Sequence, residues 1–368
     1  MPETDAAETT MTSREGTIGV QAVFSAKSTW ATGGLQFDWI MVALCGWLQA
    51  GGFLDGWAHN HGRVDGSVFT PWHGVFYTGF LAVAGLMLGT LLRNHAKGDD
   101  WRDALPAGYE LSFVGSLIFA AGGIGDVLWH SLFGTERSIE ALYSPTHLIL
   151  AVGSALIMSG PLRAAWRRPD GGSPLAWRHQ LPMLLSLTFM LSGFTFSAQA
   201  LHPLVGLRAA AAQPSTDEMI FYLQALTVAG VLVQTGLKMG FILFAVRRWR
   251  LPPGSITLVF TLNGLAMCAL DPQDDYGLMV PVILAGLVAD GWLYSLSPSP
   301  RRPGAFRLFA FVVPVVFYLF YFAALWFMKG LWWSVHLWAG SIVLAGLTSW
   351  LLSYLVVPPP EPQGKQSF

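Results

Sequence analysis

The sequence predicts an all-α fold: a polytopic transmembrane helix bundle of about ten helices, built from helical hairpins with an internal duplication. Three observations predict it. Of 368 residues, 53% are hydrophobic and 12% charged, where soluble domains carry roughly 25% charged side chains. Apolar runs recur at close to the roughly 20 residues that a spanning helix needs. Finally, an Asp-x3-His pattern followed by Ser/Thr-Pro-x-His occurs twice, each time where one apolar run gives way to the next.

Residues 1–35 are polar, with no charged segment leading into an apolar core and a cleavage site, so they read as a disordered cytoplasmic N-terminal tail and not as a removable signal peptide. Residues 36–165 form a transmembrane region carrying both motifs. Further transmembrane helices fill 166–357, and 358–368 is a cytoplasmic C-terminal tail. The apolar runs lie at 39–55, 74–92, 111–130, 147–165, 181–200, 219–246, 255–270, 278–293, 308–328 and 331–357. The seventh and eighth are short and interrupted by Asn263, Pro281 and Asp290, which gives a range of eight to ten helices. Cys45 and Cys268 both fall inside apolar runs and read as small core residues, because two such positions build neither a disulfide framework nor a thiolate metal site.

Lys and Arg set the orientation. With the N-terminus inside, the cytoplasmic segments hold sixteen of the twenty-one basic residues, among them Arg93, Arg102, Arg163, Arg167, Arg168, Arg178, Arg247, Arg248, Arg250, Arg301, Arg302 and Arg307. The opposite connections hold Arg63, Arg137, Arg208 and Lys329, while Lys238 lies within a helix. A multi-pass protein of the cell (inner) membrane, with both termini cytoplasmic, is the expectation. The same assignment puts His59, His61, His73, His130, His147, His202 and His336 at or near the extracytoplasmic face, beside acids such as Asp55, Asp126, Glu136, Glu140 and Asp271. For Asp271, Asp274 and Asp275 the simpler reading is that the positive-inside bias empties that face of cations and acids fill it. A net charge of −1 offers no electrostatic footprint for nucleic acid.

The two motifs align closely. Asp55 is followed by His59 and His73, and Asp126 by His130 and His147; thirteen residues separate the first pair of histidines and sixteen the second. An Asp and a His four apart share a helix face. The proline stands at the start of the returning helix, where its missing N–H does no harm. Each hairpin thus presents a carboxylate and two imidazoles at one membrane depth, and the 71-residue offset between Asp55 and Asp126 matches duplication of a two-helix unit. Such groups are costly to bury unless paired, so Asp126, His130 and His147, and likewise Asp55, His59 and His73, are candidate metal ligands. A satisfied hydrogen-bond network is the alternative. His61 can supplement His59; Glu136 and Glu140 are candidate extra ligands, with a solvated loop face as the simpler reading; His202 and His336 read as degenerate copies or cavity groups. Two imidazoles and a carboxylate with open positions suit copper, zinc or iron over hard alkaline-earth ions. Trp57, Phe69, Trp72, Trp129, Phe133 and Tyr143 can wall a cavity there, although interfacial aromatic belts explain most such residues.

Over Asp126-x3-His130 and Ser-Pro-Thr-His147, the sequence resembles the metal-binding motif of the C subunit of the copper membrane monooxygenases, particulate methane and ammonia monooxygenase. The resemblance covers 23 residues in one copy and 19 in the other. It implies a copper site at Asp126, His130 and His147, linked to oxidation of small apolar substrates or ammonia, and by internal homology a second at Asp55, His59 and His73. Here the motif is doubled, the interval between the later histidines is longer, the helices are more numerous and a soluble copper-binding domain is absent. Partner membrane subunits or a homo-oligomer are expected beside the lipid bilayer and a small-molecule substrate. The leading expectation is an integral membrane metalloprotein acting as or within a monooxygenase or oxidase. A membrane copper transport or homeostasis protein, and a non-catalytic subunit of a membrane complex, are the competing classes.

Overall fold

A computed structural model describes residues 34–63, 70–134, 136, 139–168, 177–210 and 213–359, and every described element is helical apart from one isolated bridge between Ser299 and Arg302. The tails expected at 1–35 and 358–368 lie almost wholly outside these residues, as do Phe69 and Arg137. The helices follow as hairpins: α1 (Gly34–Asn60) with α2 (Pro71–His95); α3 (Glu110–Phe133), the one-turn α4 (Glu140–Tyr143) and α5 (Pro145–Met158), which continues after Ser159 as α6 (Gly160–Arg167). Then come α7 (Trp177–Ser197) with α8 (Asp217–Arg248), α9 (Ser255–Cys268) with α10 (Met279–Leu296), and α11 (Pro303–Met328) with α12 (Val335–Val356).

Among the described residues nine helices are long and apolar enough to cross a membrane, with α5 and α6 forming one of them. Ser255–Cys268, the tenth apolar helix, has 14 residues, about 21 Å of rise against a hydrocarbon core of roughly 30 Å. The chain is therefore an integral membrane helical bundle. Its large side chains point outward as well as inward: Ile124 is 75% exposed and Leu355 78%, as expected for surfaces solvated by lipid, where all backbone polar groups are satisfied within helices.

Two main hydrophobic cores organise the bundle. One, with Met41, Leu48, Val83, Phe119 and Ile157, joins the first two hairpins. The other, with Val231, Leu243, Phe306, Phe309 and Tyr318, joins α8 to α12. A smaller cluster around Met183, Leu184 and Leu187 of α7 links them. Asp290, an interruption in the apolar run as read from sequence, has a local task. Its carboxylate accepts from the backbone N–H groups of Ile256 (3.1 Å) and Thr257 (2.8 Å) and from the Thr257 hydroxyl (2.6 Å). α9 starts at Gly254, which has no side chain to cap it, and α10 supplies the missing anion at the positive end of the α9 dipole.

The duplication is visible in the seams. A Cβ on Gly79 would meet the Leu48 backbone at 2.8 Å, and one on Gly153 would meet the Phe119 backbone at 2.8 Å. Leu48 and Phe119 are 71 residues apart, and Gly79 and Gly153 are 74 apart, the offsets of the Asp55/Asp126 and His73/His147 pairs. In both hairpins the returning helix lies against the outgoing one where glycine lets the backbones close up. Phe76 and Phe80 of α2 pack on Phe119 of α3 at 5.3 and 4.5 Å between ring centroids, which sets the two repeats side by side.

Side-chain bridges define the two ends of the bundle. At one end the Asn60 amide donates to Gln199 Oε1 (2.8 Å) and the Leu270 carbonyl (2.7 Å), and Lys329 pairs with Asp275 at 2.7 Å. At the other, Tyr109 donates to the buried Asp38 (2.6 Å), Arg168 pairs with the same carboxylate, and Gln180 donates to the Arg250 carbonyl (2.9 Å). Both Asp/His motifs lie at the first end and the arginine-rich connections at the second.

Candidate metal centre

The last turns of α3 and the first turn of α5 make the site. Asp126 and His130 are one helical turn apart near the C-terminus of α3, where the chain leaves the helix through Gly134 at φ 82°. α5 is entered through Ser144, whose hydroxyl caps the helix by accepting the His147 N–H, and Pro145 occupies the first helical turn. This places His147 in the first turn of α5, turned back on α3.

The Asp126 carboxylate is the hub and is 5% exposed. Its Oδ2 lies 3.3 Å from His130 Nε2, and its Oδ1 lies 3.3 Å from His147 Nε2. The two imidazole rings stand 5.9 Å apart and inclined at 57°, and one ligand atom from each of the three residues falls within 4.8 Å of the others. Ligand bonds of about 2.1 Å in tetrahedral geometry separate neighbouring ligand atoms by about 3.4 Å, which the two Asp–His separations of 3.3 Å approach. The Thr146 hydroxyl donates to Asp126 Oδ1 at 2.7 Å and fixes the carboxylate.

Glu136 takes a role other than that of an added ligand. Its Oε2 lies 3.2 Å from His130 Nδ1, on the side of the ring away from Asp126, and the Gly134 carbonyl is also 3.2 Å from Nδ1. A carboxylate or carbonyl behind one ring nitrogen fixes the tautomer in which the other nitrogen offers its lone pair, the usual arrangement behind a metal-bound histidine. Glu140 is exposed at the start of α4. Behind His147 the Nδ1 is buried with no hydrogen-bond partner among the described residues.

The first motif is built alike but less tightly drawn together. Thr70 caps α2 as Ser144 caps α5, and its hydroxyl lies 3.0 Å from His73 Nδ1, so His73 Nε2 faces Asp55 Oδ1 at 3.3 Å. His59 turns its Nδ1 to the Asp55 backbone carbonyl at 3.1 Å and lies 3.8 Å from the carboxylate. Asp55 and His73 are thus paired, while His59 stands off. Among the described residues Asp126, His130 and His147 are the one three-ligand group. The two motifs are neighbours: Asp126 and His147 are near enough to act electrostatically on His73, and the phenol of Tyr77, stacked on His73 at 5.6 Å and 13°, is in range of both Asp55 and Asp126.

The remaining candidates have other partners. His61 stacks on Trp57 and faces Asp274 at 3.4 Å, tying the first hairpin to the connection before α10. His202 is fully buried, and its Nδ1 accepts the Leu204 N–H at 3.2 Å. Burial, helped by the nearby Lys238, holds its pKa well below the ordinary histidine value, so it is neutral. His336 is exposed at the start of α12. Asp271, fully buried, accepts the Gly206 N–H at 3.0 Å. Desolvation raises the Asp275 pKa, but hydrogen bonds from Lys329 and the Gly277 N–H outweigh it and hold the carboxyl below its usual value. This acidic cluster is thus more than a filling of a cation-poor face. Of the aromatic wall candidates, Trp57 and Trp72 meet edge to face at 5.8 Å and Trp129 packs on Phe133 at 4.5 Å, but Phe133 is 69% exposed and Tyr143 donates its hydroxyl to the Ser197 carbonyl. Thr146 and the orienting place of Glu136 are what sequence reading missed, whereas Thr70 and Ser144, three residues before each second histidine, belong to the Ser/Thr-Pro-x-His motif itself.

Compared with protein-family models, curated proteins and solved structures, the chain matches none.

Proposed function

We propose that Asp126, His130 and His147 hold a copper ion, and that the protein acts as or within a membrane monooxygenase or oxidase of small apolar substrates or ammonia. The observation that carries this is the convergence of His130 Nε2 and His147 Nε2 on opposite oxygens of one buried carboxylate, each at 3.3 Å. Copper heads the affinity order for such nitrogen and oxygen donors, and the resemblance to the copper membrane monooxygenases favours it over zinc or iron. Bound there, a copper ion would supply a redox change and an open coordination position at the edge of an apolar bundle.

The chain's own residues divide the remaining work. Asp126 neutralises part of the ion's charge; Thr146 holds Asp126 in place, and Glu136 holds the His130 ring. Asp55 and His73, beside them, offer a second pair of donors, which His59 completes by turning its ring. A permease would need ligands that continue along the bundle. Among the described residues the ionisable groups deeper in the helices include Lys238, whose Nζ lies 4.3 Å over the Phe317 ring, and Asp290, the α9 cap; neither continues a cation path.

The test is elemental analysis of the purified protein. Wild type is expected to hold copper at a fixed ratio that Asp126→Ala and His147→Ala each abolish while the protein remains monodisperse. Equal, substoichiometric metal in all three would overturn the site.

A further inference from the structure

At the end of the bundle away from the Asp/His motifs, a groove of about 460 Å³ runs between α11 and α12, lined by Gly304, Arg307, Leu308, Phe311, Leu347 and Trp350. Its composition is graded. Arg307 stands one turn into α11, about 6 Å from the helix start. Its guanidinium lies 4.0 Å over the ring of Tyr354, two residues before the end of α12. Tyr354 and Trp350 meet edge to face at 5.0 Å, an aromatic pair at the depth where membrane helices carry their interfacial belt. From there the groove continues towards the bilayer middle along purely apolar side chains: Phe311 is one turn deeper on α11, and Leu347 nearly two turns deeper than Tyr354 on α12.

The guanidinium is only partly satisfied. Arg307 Nε is buried without a hydrogen-bond partner among the described residues. Among the same residues the arginine ion pairs are those of Arg167 with Glu110 and Arg168 with Asp38; Arg307 and its exposed neighbours Arg301 and Arg302 have no carboxylate. A cation held over a tyrosine face at the mouth of a groove that becomes hydrocarbon-like with depth matches one kind of molecule. We propose that this groove binds an anionic phospholipid, its phosphate on Arg307 and an acyl chain along Phe311 and Leu347. Guanidinium suits phosphate because its planar fork donates two parallel hydrogen bonds. The two further arginines at the turn favour a headgroup of net negative charge over a zwitterionic one. Leu308 and Leu347, 46% and 41% exposed, leave the acyl side open to entry from the bilayer.

The experiment is native mass spectrometry of the full-length protein in detergent, titrated with phosphatidylglycerol or phosphatidylcholine of the same acyl chains. Wild type is expected to keep one phosphatidylglycerol at concentrations where phosphatidylcholine is lost. Arg307→Gln is expected to weaken phosphatidylglycerol about fivefold, Arg307→Lys less, and Arg102→Gln, an exposed arginine on another connection, not at all. Leu347→Trp, which fills the acyl half, is expected to remove the bound lipid with the arginines intact, and it tests the site even if Arg307→Gln fails to fold. Equal retention of the two lipids by wild type, unchanged binding in Arg307→Gln or Leu347→Trp, or displacement of the lipid by glycerol phosphate at equal concentration would overturn the proposal.

Discussion

Glu136 is the side chain through which the proposed metal site can be tested without altering a candidate ligand. It lies behind His130, 3.2 Å from Nδ1, and both of its carboxylate oxygens are buried without a geometrically sound hydrogen bond among the described residues. A proton on His130 Nδ1 relieves the cost of that burial and leaves Nε2 to face Asp126, where the proposed ion would sit. Glu136→Ala is therefore expected to retain copper binding with affinity lowered about 10–100-fold, measured by competition with a chromogenic chelator, where Asp126→Ala loses it altogether. An unchanged affinity would make Glu136 a bystander. The candidate ligands were legible in the sequence because a four-residue spacing fixes a shared helix face and a proline fixes a helix start. Glu136 was not, because it lies in a connection whose path back to His130 depends on Gly134 turning the chain through a positive φ. His59 marks the opposite failure. Its spacing from Asp55 equals that of His130 from Asp126, yet its ring bonds to the backbone carbonyl, a choice that no spacing records.

Each Asp/His motif is held by a two-helix seam in which backbone meets backbone. A Cβ at Gly153 would lie 2.8 Å from Phe119 N and 2.9 Å from the Gly115 carbonyl oxygen, distances that neither helix can relieve by moving a side chain. Gly153→Ala is expected to push α5 from α3 and destabilise the protein by about 1–3 kcal/mol, read as a lower midpoint of thermal unfolding in detergent. It should also weaken copper binding, since His147 and Asp126 sit on opposite sides of that seam. Gly85→Ala, with nothing within 4 Å of the added atom, is the control and should change neither. The helices were legible as apolar runs, but their interruptions were not. The break at Ser159 falls in a run of uniform hydropathy, and it needs the sequence Ser-Gly-Pro to be seen as an end and a fresh start, with Pro161 in the first turn of α6. Asp290 counts against a helix in any hydropathy reading; only its reach across to Ile256 and Thr257 reveals a cap.

Across the whole molecule, charge and chemistry are sorted to opposite ends. The His/Asp motifs share one end with Asn60, His61 and the Asp271–Asp275 connection, while Arg93, Arg102, Arg163, Arg167, Arg168, Arg178, Arg250, Arg301 and Arg302 crowd the other. Basic residues are retained on the cytoplasmic face of membrane proteins, so the metal motifs should face outward, drawing metal from the extracytoplasmic space, and the Arg307 groove should open in the inner leaflet. The native cysteines make this directly testable, because Cys45 and Cys268 are both fully buried and a membrane-impermeant maleimide should leave the wild-type chain unlabelled. Arg63→Cys places a thiol at an exposed position beside the first motif, and Arg102→Cys places one at an exposed position in the connection between α2 and α3. In intact cells with the outer barrier permeabilised, Arg63→Cys should be labelled and Arg102→Cys should not; after lysis both should be. The reverse pattern would put the Asp126 site on the cytoplasmic face, where copper is scarce and buffered. It would then remove the case for a copper oxidase even if the triad binds metal in the purified protein, because the site would have to be loaded from a different pool.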